Sequence, residues 1–202
     1  TSVNNFAAES QHDSIRCFGS VFPYAENALE EMRRIKELGL YGIKLHPDYQ
    51  EFFIGDDAAL PIYAEAEKLG LPIAFHTGRD PYSPSLVHCP PDVLAKIADL
   101  FPNLTIIAAH MGGMDMPEAA AQYLAGKSNV YFDTAFASHF LTPGQLEELI
   151  RLHGVDRVLF ATDCPWSTFP EEKALLEATG LKPAEKEQIA CRNAESLFGI
   201  SV

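Results

Sequence analysis

The chain has 202 residues, 47% of them hydrophobic, which is ample for one core and few for two, so a single domain over 1–202 is expected. Fifteen basic against twenty-eight acidic residues leave a formal charge of −13. With no basic stripe to offset it, that charge argues against nucleic acid and anionic membranes as partners and leaves a small-molecule substrate. The four cysteines (Cys17, Cys89, Cys164, Cys191) are scattered and form no C-x-x-C pair, and no apolar run is long enough to span a bilayer. A cytoplasmic protein is the expectation.

Apolar, β-branched runs alternate with amphipathic ones. Arg16–Phe22 reads as a strand, followed by a helix over Glu26–Leu38 that stops at Gly39. Tyr41–His46 is the second strand. A loop then leads to a helix from Asp56 to Leu69, with Asp56 or Asp57 as N-cap and Gly70 as terminator. The third strand ends at His76, and a proline-rich loop precedes a helix over Asp92–Leu100. The fourth ends at His110, before Gly112-Gly113 and a helix over Met116–Ala125. Val130–Thr134 is the fifth strand, with a helix over Thr142–Leu152. The sixth ends at Asp163, and helices over Pro170–Thr179 and Pro183–Phe198 close the chain.

Strand ends at 46, 76, 110, 133 and 163 leave room for one crossover helix in each interval. Such repetition predicts an α/β fold, either a (β/α) barrel or a doubly wound sheet. No G-x-G-x-x-G or Walker loop follows a strand, so the barrel is favoured. Its chemistry gathers at the carboxyl ends of the strands.

Three of those ends carry His76, His110 and Asp163. A neutral imidazole at 76 can offer one nitrogen to a metal while a neighbour holds the other. A lone histidine there would more often be a structural hydrogen-bonder, but three such placements together favour function. Asp163 can ligate a metal or take a proton from an attacking water; a salt bridge to Lys44 is its structural alternative. His110 is assigned to polarising a carbonyl or holding the water, with direct ligation as the other option. Gly112 and Gly113 suit either close approach to a ligand or a tight turn. Lys44 and His46 share parity along their strand and so point one way, into the pocket if that way is inward. Arg79, Tyr82 and Trp166 lie on rim loops where they could bind substrate. Asp133 is an inward acceptor or a cap. His12, His88, His139 and His153 lack the strand-end setting and are read as surface or structural.

Gly42-Ile-Lys-Leu-His-Pro47, Phe75-His-Thr-Gly78, Ala109-His-Met-Gly-Gly113, Phe160-Ala-Thr-Asp-Cys-Pro-Trp166 and Asn193-Ala-Glu-Ser-Leu-Phe198 together resemble the amidohydrolase superfamily, in its amidohydrolase-2 branch. The resemblance implies a (β/α)8 TIM-barrel in which His76, His110 and Asp163 match the histidines of the fifth and sixth strands and the aspartate of the eighth. It implies a divalent metal, usually zinc, held by His76 and Asp163 and possibly by His110. Asp163 and His110 would be catalytic, with Lys44, His46, Arg79 and Trp166 binding substrate. The branch's first-strand His-x-His does not occur anywhere in the chain. Arg16–Phe22 resembles the third strand, so the first two strands are expected to be missing and the domain N-terminally incomplete. The metal would then be short of ligands or absent. The leading expectation is a metal-dependent hydrolase of an amide, ester or lactone. The alternatives are a metal-dependent decarboxylase of an aromatic or dienoic acid, and a non-catalytic barrel remnant with His76, His110 and Asp163 tied up in mutual hydrogen bonds. An open barrel edge would favour a homodimer.

Overall fold

The computed structural model describes residues 2–81 and 85–201. Five short strands, β1 (Ile43–Leu45), β2 (Ile73–Phe75), β3 (Ile106–Ala108), β4 (Val130–Asp133) and β5 (Val158–Leu159), make one parallel sheet in chain order. Parallel neighbours need a crossover, and helices supply it. After α1 (Ser2–Ser10) and α2 (Ala28–Glu37), α3 (Pro47–Gln50) and α4 (Leu60–Leu69) join β1 to β2. Next come α5 (Pro91–Leu100), α6 (Pro117–Ala119) and α7 (Pro143–His153), one after each of β2, β3 and β4. Beyond β5 lie α8 (Phe169–Glu177), α9 (Pro183–Glu187) and α10 (Asn193–Phe198). The result is an α/β fold built as part of a TIM-type barrel.

Two of the expected helices are present but wound more loosely in one turn. A π turn over Ala120–Leu124 prolongs α6, and another over Gln188–Arg192 joins α9 to α10. The helix expected from Asp56 begins at Leu60 instead. Asp56 is spent on the preceding turn, where its carboxylate accepts from Phe53 N–H at 3.2 Å and from the Tyr24 hydroxyl. Gly70 ends α4 as expected, at φ +62°.

Arg16–Phe22 does not become a full strand. It runs parallel beside β1, with Tyr41 N–H bonded to Cys17 O at 2.9 Å and Lys44 N–H to Gly19 O at 2.8 Å, yet only Gly19 and Ile43 form a bridge. Asn4 of α1 occupies its outer side, giving Ser20 O a donor at 2.9 Å and Ser20 N–H an acceptor at 2.8 Å. At the opposite edge, Phe160 N–H bonds to Ile189 O at 3.0 Å. The chain thus partly covers both of its own sheet edges.

Strand alternation then sorts the side chains. Ile43, Leu45, Ile73, Phe75, Ile106 and Ala108 are fully buried in one continuous core with Met32, Ile35, Ile62 and Tyr63 from the helices. The intervening positions Lys44, Ala74, Ile107 and Tyr131 lie in register with one another on the opposite face. That second face leads to the rim.

Candidate active site

Continuing the strand register by one residue brings His46, His76, Ala109 and Asp133 to one level. The ladder persists to that level, since His76 N–H bonds to Leu45 O and Ala109 N–H to Phe75 O, each at 3.0 Å. His110 is one residue out of phase, and simple alternation would turn it away from His46 and His76. Its backbone is left-handed at φ +59°, as is that of Met111 at φ +54°. This conformation is uncommon outside glycine. Asp133 holds the turn: its Oδ1 accepts from His110 N–H at 2.9 Å and Ala135 N–H at 3.1 Å, while its carbonyl accepts from Met111 N–H at 2.7 Å. Of the two roles considered for Asp133, the carboxylate serves as the cap. Gly112 completes the turn at φ +80°, where a Cβ would stand 2.5 Å from the Phe132 ring. Packing, rather than ligand approach, requires that glycine.

The turn brings two imidazoles together. His110 Nδ1 lies 2.9 Å from Ala135 O, and His110 Nε2 lies 3.0 Å from His76 Nδ1. His46 stacks on His76 at 4.1 Å between ring centres and 12° between planes. His46 Nε2 is 3.3 Å from Asp80 Oδ2, and His76 Nε2 is 3.9 Å from the same oxygen. One ligand atom from each of His46, His76 and Asp80 lies within 4.8 Å of the others. Tyr49 N–H donates to His46 Nδ1 at 3.3 Å, so neutral His46 carries its proton on Nε2 and donates to Asp80. His76 Nε2 is buried and has no hydrogen-bond partner among the described residues.

Burial governs the protonation states. It pushes His76 far below the usual histidine range, reinforced by repulsion from His110, His46 and Lys44. His110 is pushed down to about 4, mainly by burial and then by Lys44. His46 is lowered by burial and Lys44, against the pull of Asp80 and Asp48. The three rings are therefore neutral near pH 7, the form that binds metals. Burial also lowers Lys44, against the attraction of Asp133 and Asp163, and raises Asp133.

These groups line a cavity of about 100 Å³. Lys44, His46, His76, His110 and Asp163 face it, and Met114, Phe136 and Trp166 contribute apolar wall. Trp166 stands at the mouth, 55% exposed.

The close cluster shares only His76 with the expected ligand set of His76, Asp163 and possibly His110; His46, expected to bind substrate, and Asp80 complete it. β5 ends at Leu159, so residues 160–163 leave the ladder, and Asp163 is left-handed at φ +64°. Register therefore does not fix its side chain at the level of the histidines, although it does reach the cavity. His110 is also outside the cluster, because its nitrogens face Ala135 and His76.

No periodic signal in the sequence points to Asp80. In the loop beyond β2, Gly78 is bridged to Met114 and Arg79 N–H bonds to Met114 O at 2.8 Å. Gly78 sits at φ +92°, so strand parity does not carry from His76 to Asp80. Expected to bind substrate, Arg79 instead pairs with Asp115 at 3.4 Å and is not among the cavity-lining residues. Tyr82 lies outside the described residues. His88 is buried against Asp48 at 3.0 Å and stacks on Phe53; His139 is exposed and stacks on Phe136.

A family model described as Amidohydrolase matches residues 1–200. The 2-amino-3-carboxymuconate-6-semialdehyde decarboxylase of Dictyostelium discoideum is 32% identical over 105 residues, 44% of this chain and 29% of that protein. The gamma-resorcylate decarboxylase of Rhodococcus jostii is 26% identical over 223 aligned positions, covering 85% of this chain and 66% of that protein. This chain spans less than two thirds of the length of either. A crystal structure of a dihydroxybenzoic acid decarboxylase from Polaromonas sp., with bound manganese and the inhibitor 2-nitroresorcinol, superposes with a TM-score of 0.74. Its identity is 21%, with 98% of this chain and 74% of that one covered, a likeness of fold.

Proposed function

The chain belongs to the amidohydrolase family, and from that premise we propose that its cavity serves the metal-assisted, non-oxidative decarboxylation of a small aromatic or unsaturated carboxylic acid. The single observation that carries this reading is the buried His76 Nε2, unpartnered and facing Asp80 and His46. A buried nitrogen without a partner is costly unless something else meets it, and an imidazole with a carboxylate suits a divalent cation. His76 and Asp80 fit that role as they stand. His46 joins them once its proton moves from Nε2 to Nδ1 and the Tyr49 N–H bond is released. Asp163 and Lys44 face the same space.

When bound, the cation would supply Lewis acidity, drawing charge from the substrate's oxygens. Lys44 faces the cavity, and in its protonated form it would attract a substrate carboxylate. Loss of carbon dioxide breaks a C–C bond and leaves the electron pair on the substrate carbon, which must gain a proton. Burial makes Lys44 a stronger acid than usual, and Asp163 shares the cavity, so either can carry that proton. Phe136 and Trp166 present flat apolar surfaces suited to a planar ring.

The hydrolase expected first uses the same groups with water as the nucleophile. The decarboxylase names of the relatives support the decarboxylase reading better than this one. The non-catalytic reading expected mutual bonding among His76, His110 and Asp163; only the two histidines are so bonded, and His76 keeps one nitrogen open. Zinc was the expected ion, whereas the Polaromonas enzyme holds manganese; both belong in the test. Incubating the chain with gamma-resorcylate and Mn2+ or Zn2+ should release carbon dioxide, and a chelator should stop it. Turnover of esters or lactones, with no carbon dioxide from any aromatic acid, would overturn the proposal in favour of hydrolysis.

A further inference from the structure

His110 was assigned to act on the substrate, but its ring has no nitrogen left for that task. Nδ1 faces Ala135 O at 2.9 Å, and Nε2 faces His76 Nδ1 at 3.0 Å. A carbonyl oxygen only accepts, so His110 Nδ1 carries the proton and donates it. In a neutral ring, Nε2 is then the acceptor, and His76 Nδ1 must donate to it. His76, neutral in turn, is left with a bare lone pair on Nε2. That atom is the buried one without a partner, and it faces Asp80 Oδ2 at 3.9 Å.

The opposite assignment fails on the same contacts. If His76 carried its proton on Nε2, a buried N–H would have no acceptor in hydrogen-bond range among the described residues. Its Nδ1 lone pair would also oppose that of His110 Nε2 across 3.0 Å. A free imidazole exchanges readily between its two neutral forms, so an oriented neighbour is what selects one.

We propose that His110 is a positioning residue: the chain Ala135 C=O, His110, His76 fixes His76 in the Nδ1–H form and presents its Nε2 lone pair to a divalent cation. This rests on reading the cavity as a cation site. The left-handed turn clamped by Asp133 is what puts His110 within reach of both partners. Its backbone strain, on the order of 1–3 kcal/mol, is a cost the fold sustains at this point.

The test reads the tautomer directly. Long-range 15N–1H correlation on the chain with 15N-labelled histidine, freed of metal by chelation at pH 7.5, should show His76 protonated on Nδ1 and bare on Nε2. A His76 found protonated on Nε2, or as an even mixture, overturns the proposal, and this measurement needs no variant. His110→Phe removes both ring bonds and should weaken Zn2+ binding, measured by competition with a chelating dye, by about 10–100-fold. His110→Gln, whose amide keeps one donor and one acceptor, should restore most of that loss. Unaltered affinity in His110→Phe, or equal loss in both variants, overturns the proposal. Carbon dioxide release is scored separately. The right tautomer without decarboxylation sinks only the assigned activity; decarboxylation with the wrong tautomer sinks only the positioning role.

Discussion

His76 and His153 are both buried histidines of depressed basicity, and they illustrate opposite uses of the same side chain. His153, in α7, stacks on Phe132 at 3.8 Å and engages both ring nitrogens. Its Nδ1 accepts from Gly126 N–H at 3.3 Å, and its Nε2 donates to Val130 O at 3.1 Å. Nothing is left over, so the ring is a structural bracket. His76 engages only Nδ1 and leaves Nε2 facing a carboxylate. Burial and a lowered pKa are common to both, so neither marks a site. The unspent lone pair does.

The sharpest break of the pair is substitution of each ring. His76→Ala should lower divalent-cation affinity by more than about 100-fold, since losing a direct ligand costs more than losing a supporting neighbour; calorimetric titration with Zn2+ checks it. His153→Ala should leave that affinity unchanged. It should cost about 2–4 kcal/mol of stability in urea, through a cavity beside Phe132 and the unmet Gly126 N–H and Val130 O.

Acid sharpens the comparison further. His153 has its pKa pushed down to about 4, mainly by burial. The unfolded chain therefore takes up the proton first, and stability is full above about 6.5 and falls as pH drops towards 4. The loss is on the order of 3 kcal/mol for that ring. Chemical denaturation between pH 7 and 4 should show this slope, and His153→Phe should flatten it. A slope unchanged in that variant would place the titrating group elsewhere.

Asp80→Asn is a smaller step. It keeps the shape and removes one charge, so cation affinity should fall by roughly 10-fold, with thermal stability nearly unchanged. Smallest is Arg79→Ala. Its exposed pairing with Asp115 is worth about 0–1 kcal/mol, and cation affinity should not move. A marked loss there would bring Arg79 back to the cavity.

The sequence identified the rim well where the sheet's alternation extends. Lys44 and His46 follow from strand parity and His76 from its place at a strand end, and all three line the pocket. Asp80 lies beyond Gly78, whose φ of +92° breaks that parity, so alternation does not point to it. His110 and Asp163 were found by residue type and strand-end position, but their roles could not be read. Both sit at positive φ, and a chain reversal of that kind redirects a side chain irrespective of its parity. Helix α4 shows the same limit: Asp56 or Asp57 reads as its N-cap, whereas a tyrosine 32 residues before Asp56 competes for that carboxylate.

What the sequence determined alone is the order of strands and helices and the parity that turns Lys44 and His46 towards one face, because both follow from local periodicity and solvent preference. Only the tertiary structure decided which nitrogen each histidine has left to offer. That depends on the Ala135 carbonyl, the Tyr49 amide and the Asp133 clamp, partners brought into range by sheet register and backbone turns rather than by anything adjacent in the chain.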